Sequence, residues 1–212
     1  MADTPRGPVP EPKALQARAA ETRAALLDAA LECLVERGYS ATTTPEIARR
    51  AGVSRGAQLH HFPTKAELLA ASVGRLLDRR LADFRKAFAD LPPGTHQVGA
   101  AIDVLWSMFD SPAFVAWAEL WMASRTDPDL AAVMAEVDEG FHRGALAVYT
   151  ELFPPRPEAD ALPPSEALDL VFTVMEGMAF ERLNRAAEHP PAGDQLAVLK
   201  YLADSFGPTA DL

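Results

Sequence analysis

The sequence predicts an all-α protein. Proline pairs at 92–93, 154–155, 163–164 and 190–191 punctuate the chain, the stretches between them carry apolar residues at helical spacing, and no run alternates as a half-buried strand would. Helix-start chemistry recurs as well, in Thr43-Thr44-Pro45-Glu46 and again in Pro63-Thr64-Lys65-Ala66-Glu67. About nine helices are expected.

Residues 1–16 read as a disordered tail, because Pro5, Pro8, Pro10 and Pro12 crowd it and few large apolar side chains offset the entropy of ordering. From Thr22 to Arg37, Leu26, Ala30, Cys33 and Leu34 recur at spacings of three and four, which predicts an amphipathic helix ended by left-handed backbone at Gly38. Thr43 and Glu46 are expected to cap the next helix, Thr44 to Ala51, reciprocally, with Pro45 in its donor-free first turn. Gly52 ends it and Val53 turns inward. Ser54 caps a short third helix from Arg55 to about His61, and Thr64 with Glu67 opens a long one from Lys65 toward Phe88. Further helices are expected over Ala100–Phe109, Ala113–Ser124, Leu130–Phe153, Ser165–His189 and Asp194–Phe206, with Pro112 and Asp127-Pro128 at helix starts.

Composition narrows the class. The chain has 212 residues, 49% of them apolar, a size at which folding buries roughly 70% of the unfolded surface. The single Cys33 excludes an internal disulfide framework and any multi-Cys metal site, and reads as a small buried hydrophobe in a cytoplasmic protein. No apolar run approaches the ~18 residues of a membrane span, so no membrane partner is expected. No cofactor motif, phosphate loop or nucleophile–base pair is evident, which argues against an enzyme. The net charge of −10 conceals a split: residues 1–65 hold nine Lys/Arg against seven Asp/Glu, and residues 66–212 eleven against twenty-three. An anionic partner belongs near the front.

Two short helices meeting at a Gly-containing turn describe a helix-turn-helix, whose second helix enters the DNA major groove. The run "TTTPEIARRAGVSRGAQLHHFPTKAELL" (42–69), after "LLDAALECLVERGY", closely resembles the N-terminal domain of TetR-type (tetracycline-repressor-like) transcription regulators. Ile47-Ala48, Ala51-Gly52-Val53-Ser54, Gly56, Phe62, Lys65 and Leu68 carry the resemblance, which covers roughly Thr22 to Val73. It implies a three-helix DNA-binding domain over 17–66 and a larger α-helical ligand-binding and dimerisation domain over 67–212.

Under that resemblance, Thr43, Thr44, Ser54, Lys65 and the helix N-termini they open suit phosphate oxygens. Arg55 has the planar fork that matches guanine O6 and N7, and Gly56 with Ala57 keeps the reading helix slim. His60 and His61 match positions of DNA-backbone contact. Family members usually carry Leu then Tyr where Gln58-Leu59 stand, and often a basic residue at Pro45. Gln58 is expected either to read adenine or to cap a rim contact, and Leu59, three residues before Phe62, to anchor inward.

In the body, large aromatics at helical spacing read either as plain core or as the wall of an effector cavity, with Trp106, Phe109, Trp117, Glu119, Trp121, Phe141, Met175 and Met178 as its expected lining. Asp103, Glu119 and Glu176 are carboxylates among these apolar runs, each able to pair a cationic ligand group or to face water. Leu168, Val171, Phe172, Met175, Ala179 and Leu183, with Leu199, Leu202 and Phe206, make apolar surfaces too broad for single neighbours and are expected to form a homodimer's four-helix bundle. Gly140 and Gly144 suggest a close helix approach, and His142 between them lacks a second metal ligand at fixed spacing. The expected function is a repressor that binds a palindromic operator on double-stranded DNA and is released by a small-molecule effector.

Overall fold

The computed structural model describes residues 12–91, 97–153, 163–183 and 193–206. Among them the chain is helical: α1 Pro12–Ala41, α2 Thr44–Arg50, α3 Arg55–His61, α4 Lys65–Ala89, α5 Gln97–Phe109, α6 Pro112–Ser124, α7 Pro128–Leu152, α8 Pro164–Leu183 and α9 Gly193–Phe206. They form two compact units, the first ending at Ser72 and the second beginning at Val73. Residues 1–11 of the expected tail lie outside the described residues, as does the expected end of the eighth helix beyond Leu183.

In the first unit, α1 begins at Pro12, ten residues ahead of the amphipathic stripe. Ala14, Leu15, Gln16, Ala17, Arg18, Ala19 and Ala20 are strong helix formers, so propensity extends the helix where apolar periodicity gives no signal. At Gly38 (φ 72°, ψ 174°) the helical path breaks in a region of backbone that glycine alone enters freely. Thr42, buried, places its hydroxyl against the carbonyl oxygens of Cys33 (3.0 Å) and Gly38 (2.7 Å), satisfying groups that the break leaves open. Leu26, Leu27, Ala30, Cys33 and Leu34 of α1 pack into one core with Ile47, Phe62, Leu68 and Leu69. Burial raises the Cys33 thiol pKa, which leaves it an inert packing residue as the sequence suggested.

Ion pairs fasten α2 to α1. Arg50 forks onto Glu36 at 2.7 and 2.8 Å, and the hydrogen bonds hold that carboxyl below its ordinary pKa. Glu46 takes Arg49 at 2.7 and 2.9 Å and Arg37 at 3.4 Å. This corrects the capping box expected at Thr43: no side chain caps α2 there, because guanidinium partners outbid a backbone amide for the Glu46 carboxylate. The other expected caps form, with Ser54 Oγ accepting from Ala57 N at 3.2 Å and Thr64 Oγ1 from Glu67 N at 3.1 Å.

In the second unit, α6 packs on α7, α5 on α9, and α8 on α5 and α7. Asp127 caps α7 through Leu130 N at 3.0 Å, with Pro128 in its first turn. One apolar cluster gathers Ile102, Trp106, Phe114, Met175, Met178 and Leu199, and a second Ala145, Leu168 and Phe172. Gly144 permits a close approach: a Cβ there would meet Leu81 Cδ1 at 2.7 Å, whereas Gly140 faces open space. Among the described residues no helix is long and apolar enough to cross a membrane.

Candidate functional site

In the first unit, α2 and α3 meet at Gly52 (φ 66°), whose positive φ turns the chain within a few residues. One face of α3 is left outside by the turn. Ser54, Arg55, Gly56 and His60 are exposed, Ala57 and His61 half-buried, and the two imidazoles meet edge-on at 5.5 Å. A Cβ built on Gly56 would touch nothing, so the helix is slim at that point. Thr43 is exposed and Thr44 half-buried at the start of α2. Arg37, Arg49 and Arg50 are engaged by carboxylates, whereas Arg55 has no hydrogen bond or ion pair among the described residues. A guanidinium with five free donors on an exposed helix start is available to an acceptor-rich anion.

Two residues stand elsewhere than expected. Gln58 is 1% exposed and turned into the core, its amide donating to the Phe62 carbonyl oxygen at 2.7 Å, while Leu59 is 45% exposed. In this conformation Gln58 reaches no base edge and Leu59 is not the inward anchor. Both lie near Phe62 on the helix surface, but the i−4 position of Gln58 falls over the core and the i−3 position of Leu59 at its rim. Lys65 turns its ammonium to the Tyr39 carbonyl oxygen and over the Tyr39 ring, 4.0 Å from the centroid, joining the start of α4 to the end of α1.

Among the described residues of the second unit, two cavities are walled by aromatic side chains. The first, about 190 Å³, is almost wholly apolar, its walls including Phe84, Ile102, Leu105, Val148, Phe153, Leu168 and Val171. The second, about 250 Å³, lies among α4, α5, α6, α7 and α8 and is lined by Phe109, Phe114, Trp117, Trp121, Phe141 and Phe172, with Arg80, Asp138, His142 and Glu176 as its charged or titratable groups. Met108 and Phe172 line both. The Trp117 indole donates to Asp138 Oδ1 at 2.8 Å. Burial raises the Asp138 pKa against that bond, and burial together with the Asp138 charge raises that of Glu176.

Of the expected cavity residues, Phe109, Trp117, Trp121 and Phe141 line this space. The others are corrected. Trp106 is core, its ring under the Arg182 guanidinium at 5.8 Å; Met175 is fully buried core; Met178 lines a shallow groove between α8 and α9; and Glu119 points outward. Asp103 is ion-paired with Lys200. Asp138 was missed, because its partner Trp117 is 21 residues away and no local spacing joins them.

The expected dimer face is likewise divided. Leu168, Phe172, Met175, Ala179 and Leu199 are buried in their own unit and Val171 is half-buried, so these residues are intrachain core. Leu183 and Leu202 are exposed, beside Leu170, Val174, Val198 and Tyr201, which the sequence reading did not single out. The Phe206 side chain lies outside the described residues.

Over residues 26–72 the chain matches the family of bacterial regulatory proteins, tetR family. An HTH-type transcriptional regulator of Mycobacterium tuberculosis is 34% identical over 122 residues, 58% of this chain and 63% of that protein. HTH-type transcriptional regulator CymR of Pseudomonas putida is 38% identical over 113 residues, 53% of this chain and 56% of CymR. The matched stretches thus span under two thirds of those relatives' lengths. A solved structure of a TetR-family member from Streptomyces coelicolor A3 covers 89% of this chain and 99% of its own with a TM-score of 0.61 at 19% identity, a likeness of fold. Over its N-terminal unit the chain is thus similar to bacterial regulatory proteins of the tetR family.

Proposed function

We propose that the protein is a ligand-responsive transcriptional repressor that binds a palindromic operator as a homodimer and leaves it when a small molecule fills the aromatic cavity. The observation that carries this reading is the exposed face of α3, where unpaired Arg55 and slim Gly56 follow a capped helix start. Arg55 reads a base edge, while Ser54, Thr43, Thr44 and the amides opening α2 and α4 hold phosphates.

Exposed Leu170, Val174 and Leu183 on α8 and Val198, Tyr201 and Leu202 on α9 support pairing of two copies through those helices. A two-fold pair sets its reading helices in successive major grooves about 34–36 Å apart. The effector acts through α4, which begins in the first unit and contributes Leu77 and Arg80 to the cavity wall. A hundredfold loss of operator affinity requires roughly 2.7 kcal/mol of differential binding, an ordinary allosteric coupling.

The test is fluorescence anisotropy with labelled duplexes from the region upstream of the protein's own gene. Tight binding to one duplex, steeply weakened by salt and reversed by a small molecule, is the expected result. Equal affinity for every duplex tested, or none for any, overturns the reading.

A further inference from the structure

The chemistry of the aromatic cavity names the class of molecule it takes. Its two carboxylates come from facing helices, Asp138 from α7 and Glu176 from α8, and the Trp117 indole holds Asp138 in place at 2.8 Å. Glu176 makes no hydrogen bond or ion pair among the described residues, although it lies half-buried in the wall. Of the basic groups in the same wall, His142 faces Asp169 at 3.0 Å, which sets Arg80 on α4 against two carboxylates.

Around the carboxylates the wall is π-rich. Trp117 stacks on Trp121 at 5.9 Å and Phe141 on Phe172 at 5.7 Å, so aromatic side chains line the space beside the formal charges. An anion there meets two like charges. A neutral ligand displaces solvent from the carboxylates and leaves them without compensation, which is costly in a site of low dielectric. A cation satisfies both.

We propose that the effector is an organic cation, its ammonium-type head held by Asp138 and Glu176 and faced by Trp117 and Trp121, its apolar body lying against Phe109, Phe141 and Phe172. This rests on the reading of the cavity as the effector site.

Three ligands that share one body and differ in head test the inference: 4-phenylbutyltrimethylammonium, 4-phenylbutanol and 4-phenylbutyrate. Each is titrated into the full chain and followed by tryptophan fluorescence and by the shift in melting temperature. The cation is expected to bind at least tenfold more tightly than the alcohol, about 1.4 kcal/mol, with the carboxylate weakest. Glu176→Gln and Asp138→Asn, each keeping side-chain volume, erase the difference between cation and alcohol. Equal binding of cation and alcohol, or preference for the carboxylate, overturns the proposal while leaving an occupied cavity and the effector reading intact. Failure of all three to bind also overturns it. The effector reading is then decided separately, by whether any compound releases DNA in the anisotropy assay.

Discussion

The side-chain amide of Gln58 donates to the carbonyl oxygen of Phe62 at 2.7 Å and so closes the last turn of α3 from within the core, while its own Oε1 is buried without a partner among the described residues. An unpartnered buried acceptor costs about 1–3 kcal/mol, more than the single amide bond returns. Gln58→Leu therefore raises stability by ~1 kcal/mol, seen as a higher urea midpoint at unchanged slope. Because Gln58 faces inward, the variant keeps the operator preference of the parent. Altered preference at one A·T pair would restore the base-reading role that the sequence suggested.

That inversion shows which parts of the site were legible in the residues. The helix-turn-helix was readable because Ser54, Thr64 and Gly52 act locally: two hydroxyls each cap an amide three residues on, and a glycine takes φ 66°. Gln58 and Leu59 were exchanged because apolar character suggested Leu59 as the inward residue, and only the packing of α1 against α3 fixes which face is covered. The breadth of the apolar surface on α8 was legible too. Its division into core (Met175, Phe172) and exposed face (Leu170, Val174) depends on α5 and α7, which lie far off in sequence. Asp138 gave no local signal, since its neighbours on α7 include Glu136 and Glu139 and it reads as one more solvated charge.

Arg55 and Gly56 are adjacent, and they fail in different ways. Arg55→Ala is expected to cost about 1–3 kcal/mol of operator binding and to relax preference at a single base pair. A uniform loss across all duplexes would instead make Arg55 a phosphate contact. Gly56→Ala adds a methyl in open space and replaces a glycine in the first turn of α3, so folding gains at most roughly 0.5 kcal/mol. The same methyl stands between the backbone and the groove floor. Thermal denaturation and anisotropy should therefore move in opposite directions for this variant.

Under the proposed pairing of two copies, the two faces of α8 and α9 separate assembly from folding. Val198 is 59% exposed and Tyr201 72% exposed, so Val198→Lys with Tyr201→Lys leaves the protomer folded and shifts sedimentation toward the monomer at micromolar concentration. Met175 is fully buried, and Met175→Ala loses about 2–5 kcal/mol of stability through the cavity it opens. A dimer that survives the double lysine variant places the interface on another surface.

Asp138 and Glu176 also make stability depend on pH in a direction opposite to that of most paired carboxylates. In the unfolded chain they titrate near 3.8 and 4.5; in the fold, burial raises Asp138, and burial with the Asp138 charge raises Glu176. Below the unfolded values both are protonated in either state, and the fold carries no charge penalty. As pH rises, the unfolded chain releases its protons first, so the native state binds more protons and stability declines until the raised values are passed. Glu36 and Glu46, lowered by their arginine partners, act in the opposite sense, being stabilising above the unfolded carboxyl value. The whole-protein curve mixes the two, so the informative quantity is the difference between wild type and Glu176→Gln. Arg80 from α4 and His142 from α7 line the same cavity and are common to both proteins. Urea denaturation at intervals from pH 4 to pH 7 should show Glu176→Gln gaining on the wild type as pH rises. A constant difference would mean that the Glu176 carboxyl is solvated in the free protein.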